Sequence, residues 1–140
     1  GINILTGFTL YSGPDAPFKL IDKWIKIVNR EFRLSRRNKY STAFFYGFKD
    51  QSYFYIGNEG YFVAMEQQDM WGFRELTILS YYLLPEARTL ENLNALLEEM
   101  EKLAKALKIK RICQGSHLNE KLPIYLKYKG YKISEMRKDL

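Results

Sequence analysis

The sequence predicts an α/β (α+β) domain built on a mixed, mainly antiparallel twisted sheet flanked by helices. Three observations carry this reading. Apolar residues recur at steps of three and four in two stretches, around residues 18–32 and 90–107, which is the period of an amphipathic helix. Between residues 41 and 84 lies a series of Tyr-, Phe- and Val-rich segments separated by turn residues, the signature of a strand meander. A short apolar segment follows the second helix at residues 111–116. Strand, helix and strand in that order, beside a meander, imply a mixed sheet covered by helices.

Taken in order, GFTLYSG (residues 7–13) alternates weakly and reads as a first strand, stopped by Gly13-Pro14. Asp15 and Pro17 mark a helix start. Phe18, Ile21, Ile25, Val28 and Phe32 then form one apolar stripe, continuing to about Leu34. STAFFYGF (41–48), QSYFYIG (51–57) and GYFVAMEQQ (60–68) read as three strands, with turn signals at Asp50-Gln51, Asn58 and Gly60. Trp71-Gly72 turns the chain into a strand from Phe73 to Leu84. From Leu90, the residues Leu93, Leu96, Leu97, Met100, Leu103, Ala104 and Leu107 define a helix of about five turns. RICQGS (111–116) is a short buried strand, residues 119–129 a short helix interrupted near Pro123, and YKISEMRKDL (131–140) a closing strand.

The 140 residues suit one domain spanning 1–140, with 46% hydrophobic content and no low-complexity tract or internal repeat. The lone Cys113 excludes a disulfide framework within the chain, so a reducing, cytoplasmic home is expected. No apolar run approaches the roughly 20 residues of a membrane-spanning helix, and the N-terminus shows no basic-then-apolar secretory pattern, so no membrane partner is expected. Net charge is +6 and pI about 9.3, which favours anionic partners. Basic residues gather at Arg30, Arg33, Arg36, Arg37 and Lys39, at 102–111 and at 127–138. Such runs are ordinarily solvated faces. Beside the aromatic segment from Phe44 to Phe62, the first of them also carries a weak nucleic-acid reading.

Chemistry concentrates at Pro85. A strand that ends as a helix begins points backbone N–H groups outward, and with the helix dipole these form an anion site suited to a pyrophosphate. Arg88 adds a charged donor and Thr89 caps the helix beginning at Leu90. His117, the only histidine, has no partner at metal-ligand spacing, Ser116 has no triad context, and Cys113 sits in a core strand.

The segment from Glu75 to Tyr131 resembles the cofactor half of the GCN5-related N-acetyltransferases (GNAT). That family carries a motif like V-x-P-E-x-R-G-x-G-x-G after its fourth strand, followed by an aliphatic pair. Pro85, Glu86 and Arg88 match its Pro, acidic residue and Arg, and Leu96-Leu97 its aliphatic pair. The three family glycines correspond to Thr89, Glu91 and Leu93. Further on, the family's N-x-x-A…Y-x-K-x-G-F pattern is met by Asn119, eleven residues before Gly130, with Tyr131 in place of Phe. The likeness covers residues 73–140, and the N-terminal half follows it by element order alone.

This resemblance implies a GNAT-like fold and acetyl transfer from acetyl-CoA to an amine acceptor. It implies cofactor contacts at Leu83, Leu84, Arg88, Thr89, Leu90, Glu91, Asn92, Leu93, Asn119 and Tyr128. The pantetheine would lie between splayed strands, bonded near Leu83. In relatives a Tyr four residues before the Gly protonates the leaving thiolate. Here that position is Leu126, flanked by Tyr125 and Tyr128, and Tyr125 is the nearest candidate acid. The family's general base, a Glu thirteen residues before the motif Arg, corresponds to Glu75, with Glu66 a second candidate. Strand alternation would set Glu75, Thr77, Leu79 and Tyr81 on one face.

Loss of the glycines removes backbone positions that approach a phosphate closely, and Glu91 sets a carboxylate where the anion would bind. The CoA motif is therefore degenerate. The residues leave three readings open: an acetyltransferase, an enzyme using another acyl-CoA, or a non-catalytic module. The last resembles virus-borne members with eroded motifs and would use its basic face for nucleic acid or an acidic protein. The oligomeric state is equally open, a dimer included.

Overall fold

A computed structural model of the chain describes residues 5–32, 41–114 and 129–131. Five strands form one sheet in the order β1-β2-β3-β4-β5. They are β1 (Thr9–Ser12), β2 (Ser52–Ile56), β3 (Gly60–Gln68), β4 (Arg74–Leu83) and β5 (Ile112–Gln114). The first four pair antiparallel, each with its neighbour, and β5 joins β4 in parallel. Three helices accompany them, α1 (Phe18–Glu31), α2 (Thr42–Gly47) and α3 (Leu90–Ala106). Among the described residues, no helix is long and apolar enough to cross a membrane.

Two cores sandwich the sheet, and period-two alternation decides which residue enters which. Along β2, Ser52, Phe54 and Ile56 are buried on one face while Tyr53 and Tyr55 pack on the other. On that second face α3 covers the sheet. Leu96, Leu97 and Met100 of α3 meet Phe62, Ala64, Leu76 and Ile78, all nearly inaccessible to water. Full burial of each such side chain contributes about 1.5–3 kcal/mol, far more than α3 gains from helix propensity. Tyr55 stacks on its cross-strand partner Phe62, ring centroids 4.8–5.0 Å from its two neighbours Phe8 and Phe62.

The opposite face belongs to α1. Ile21, Ile25 and Val28 of the expected stripe are buried there, joined by Trp24, which packs against Tyr61 and Tyr82. Phe18, by contrast, is exposed at the helix start. The helix begins after Pro17, its N-cap position, and no side chain caps it.

One element differs in kind from its expectation. Residues 41–48, read as a strand from their aromatic content, contain α2. Ser41 accepts the backbone N–H of Phe44 through its hydroxyl, a capping bond that starts the helix. Thr42 donates to Asp22 at 2.9 Å and ties α2 to α1. Phe45 is buried, and Phe44 and Phe48 lie largely in solvent. A capped turn that inserts one ring into the α1 core outweighs the β preference of four aromatics. The expected helix around 119–129 and the closing strand at 131–140 fall outside the described residues, apart from 129–131, as does the end of the first helix beyond Phe32.

Candidate active site at the opening between β4 and β5

Among the described residues, the parallel pairing of β4 with β5 covers three residues of each strand. Leu76, Thr77 and Ile78 face Ile112, Cys113 and Gln114, and no described strand continues along β4 beyond them. At the next residue β4 also breaks step with β3. Ile78 opposes Ala64 and Ser80 opposes Val63, so Leu79 is an extra residue, a β-bulge. The bulge reverses the alternation. Leu79 packs in the α1 core, whereas Tyr81 turns to the α3 side with Leu83. Glu75, Thr77, Leu79 and Tyr81 therefore do not share one face, because the expected period of two holds only up to Leu79. On the α1 side the bulge brings Ser80 against Tyr61, hydroxyl to hydroxyl at 2.8 Å, a buried polar pair in an aromatic wall.

β4 then runs into the helix start through a tight turn at Pro85–Ala87. Thr89 caps α3, its hydroxyl accepting the N–H of Asn92 at 3.1 Å. Asn92 is buried and donates through Nδ2 to the Ala87 carbonyl at 3.0 Å. Its side chain thus holds the turn and helix together and faces inward. Leu93 likewise points into the α3 core, and Leu90 is exposed. Leu84 donates its N–H to the carbonyl of Glu59 at 2.8 Å, which ties the end of β4 to the β2–β3 turn.

Arg88 is built into the scaffold. Its Nε donates to the Leu83 carbonyl at 2.8 Å, and its terminal nitrogen reaches Glu31 at the end of α1. The guanidinium also lies over the rings of Tyr82 and Phe32, 5.2 and 5.8 Å from their centroids. The hydrogen bond from Arg88 holds the Glu31 carboxyl below the usual range. Burial, and after it the hydrogen bond to Glu31, pushes the Tyr82 phenol up to about 12. Near Leu83, where the pantetheine is expected to bond, the Leu83 carbonyl already has this guanidinium as donor.

The three positions that lack glycine serve different purposes. Thr89 is the cap and Leu93 is core, so neither side chain crowds the space ahead of the helix. Glu91 is the exception. Its carboxylate accepts a hydrogen bond from its own backbone N–H, which lowers its pKa. It occupies the N-terminal end of α3, as an anion attracted by the helix dipole does.

Both candidate bases are ion-paired. Arg111 holds Glu75 at 2.7 Å and Asp69 at 3.1 Å, and Arg74 holds Glu66 at 2.6 Å. Glu75 lies four residues before the bulge, about 13 Å along the strand. Asn119, Tyr125 and Tyr128 lie outside the described residues. Gly130 adopts a left-handed φ of 97°, which glycine permits without strain. The Tyr131 that follows packs against the α3 core, where its hydroxyl accepts from Gln114 Nε2 at 2.8 Å. Gln114, the last described residue of β5, thus fastens the far side of the opening. Gln114, Glu31 and the bulge at Leu79 carry no sequence signal, since each acquires its role from a partner remote along the chain.

No family model matches the chain, and no curated protein does. Solved structures do match over nearly its whole length. An aminoglycoside acetyltransferase from an uncultured soil metagenomic sample superposes with a TM-score of 0.71 at 15% identity, covering 96% of this chain and 98% of that one. A predicted acetyltransferase from Clostridium acetobutylicum, solved with acetyl-CoA, gives 0.67 at 18%, covering 95% of each chain. A ribosomal-protein-alanine N-acetyltransferase from Brucella melitensis gives 0.68 at 8%, covering 96% and 98%. The chain thus has the same fold as these solved acetyltransferases, at 8–18% sequence identity.

Proposed function

We propose that the chain transfers an acyl group, acetyl from acetyl-CoA, to an amine acceptor at the opening between β4 and β5. The observation that carries this reading is the geometry of β4. Its described pairing with β5 runs to Ile78, it bulges at Leu79, and seven residues after Ile78 it reaches the turn before α3. An extended strand edge is suited to bind an amide-bearing arm such as pantetheine by strand-like hydrogen bonds. The solved acetyltransferase from Clostridium acetobutylicum, described with acetyl-CoA, supports the choice of donor.

In this reaction the amine nitrogen attacks the thioester carbonyl. The C–N bond forms, the C–S bond breaks, and the sulfur leaves as thiolate. The amine gives up a proton to a base and the thiolate takes one up. Glu75 is the proposed base and reaches the opening only through water, given its distance from the bulge. Tyr125 is the proposed acid. Leu83, Leu84 and Leu90 would line the arm and Leu93 would back it from the core. Thr89 and Asn92 would shape the phosphate end, and Arg88 would brace the strand end instead of contacting phosphate. Asn119 and Tyr128 complete the proposed cofactor contacts. Glu91 weakens phosphate binding, so affinity would rest mainly on the arm.

Titration of acetyl-CoA into the purified protein tests the reading. At tenfold excess over Kd the fold should gain about 1.4 kcal/mol, read as a rise in thermal midpoint. No shift at millimolar CoA would sink the proposal. If CoA binds, Glu75→Gln should slow acetyl transfer at least about tenfold with CoA affinity unchanged. Unchanged turnover would leave Glu75 only its place beside Arg111.

A further inference from the structure

At the other end of β4, about 30 Å from Leu83 along the strand, the turn between β3 and β4 presents three large apolar side chains to solvent. Met70 is 88% exposed, Trp71 77% and Phe73 62%. The turn is closed by its own hydrogen bonds. The Asp69 carboxylate accepts the N–H groups of Trp71 and Phe73, both at 2.9 Å. The Asp69 N–H donates to the Phe73 carbonyl at 2.9 Å, and Gly72 returns its N–H to the Asp69 carbonyl with φ at 84°. Arg111 braces the base, its guanidinium over the Phe73 ring and bonded to Asp69.

The same end of the sheet carries four cations, Arg74, Lys108, Lys110 and Arg111, against three carboxylates, Glu66, Asp69 and Glu75. Arg74 donates to the Leu107 carbonyl, which fixes the turn between α3 and β5 beside the turn between β3 and β4. In that second turn Ile109 is buried and sends its neighbours Lys108 and Lys110 outward, both exposed. The three nearby carboxylates, Glu66, Asp69 and Glu75, are each paired with Arg74 or Arg111. The lysines make no ion pair with a described residue, so the tip carries excess positive charge.

We propose that this tip docks on an anionic lipid bilayer, with Met70, Trp71 and Phe73 entering the headgroup boundary and Lys108 and Lys110 facing the lipid charge. Trp at an interface with flanking Lys and Arg is the arrangement such surfaces favour. A second protein is less suited as the occupant. Aromatic side chains offer about 150–250 Å² each, so this narrow tip falls short of the roughly 800 Å² per partner of a stable protein interface. Contact would be peripheral, and it would leave the opening between β4 and β5 uncovered.

Co-sedimentation with vesicles tests the proposal, comparing phosphatidylcholine alone with a mixture containing about one-third phosphatidylserine. The protein should pellet with the anionic vesicles and remain in solution with the neutral ones. Trp71 emission should shift to the blue on binding; Trp24 is buried and contributes a constant background. The pairs Trp71→Ala/Phe73→Ala and Lys108→Glu/Lys110→Glu should each reduce the bound fraction at least about tenfold without lowering the thermal midpoint. Failure to pellet, or wild-type binding by either pair, would overturn the proposal. So would self-association abolished by Trp71→Ala, or oligonucleotide binding without vesicle binding; these would assign the tip to a second copy or to nucleic acid.

Discussion

Glu91 shows how a single side chain both supports the fold and works against the ligand the fold would bind. In the first turn of α3 a carboxylate stabilises the helix through its dipole. The same charge opposes a phosphate at that point. Glu91→Gln should therefore lower the urea midpoint slightly while tightening CoA binding about two- to five-fold. Opposite signs in the two measurements identify the role. If affinity and stability fall together, the carboxylate lies off the ligand's path. Thr89 and Leu93 carry no such conflict, since one caps the helix and the other packs half-buried against the core. From sequence, all three positions look like equal losses of glycine. Only the direction of each side chain separates them.

Among the elements, the junction of β3 with the end of β4 is the most tightly constrained. Gly60 opposes Leu83, and a Cβ there would overlap the backbone carbonyl of Tyr82. Backbone cannot swing aside as a side chain can, so Gly60→Ala should cost about 1–3 kcal/mol by displacing the strand that borders the opening. A lower urea midpoint together with weaker acetyl-CoA binding is the expected result. At Gly57, by comparison, the nearest atoms a Cβ would meet belong to the Phe8 ring, a side chain instead of backbone. The helix around residues 42–47 illustrates the limit of composition at this scale. Four aromatics in eight residues favour a strand, yet Ser41 and the bond from Thr42 to Asp22 select a helix.

For the whole molecule, ion pairs that join distant elements make stability pH-dependent at the acid end. Glu31 is held below its ordinary 4.5 by the hydrogen bond from Arg88. The Asp69 carboxyl lies below 3.8, since bonds from Phe73, Trp71 and Arg111 outweigh the opposing effect of burial. A depressed folded pKa gives stability that is present above the unfolded value and lost as pH falls through the folded one. Stability should thus decline as pH drops below about 4.5, and Glu31→Gln should flatten the upper part of that decline in urea titrations. At the alkaline end the sign reverses. Burial raises Tyr55 and Tyr82 from 10.0 to about 12, so their contribution is present below 10.0 and lost as pH rises towards 12. Far-UV circular dichroism across both limits would reveal either slope.

The long helix after Pro85, the strands on either side of it and the cap at Thr89 were legible in the sequence because they depend on periodicity and on neighbours within a turn. The meander from Ser52 to Leu83 was legible for the same reason. The bulge at Leu79, the inward course of Asn92, the capture of Arg88 by Glu31 and the pairing of Glu75 with Arg111 were not. Arg88 and Glu75 depend on partners dozens of residues away, the bulge on the register between strands, and Asn92 on the turn at Ala87 that its amide bonds, and none of these leaves a periodic pattern. Sequence by itself thus determined the order of the described elements other than α2, and the family resemblance. Tertiary structure decided which of the matched residues face an opening and which are committed to holding it, because side-chain direction follows from packing and not from spacing.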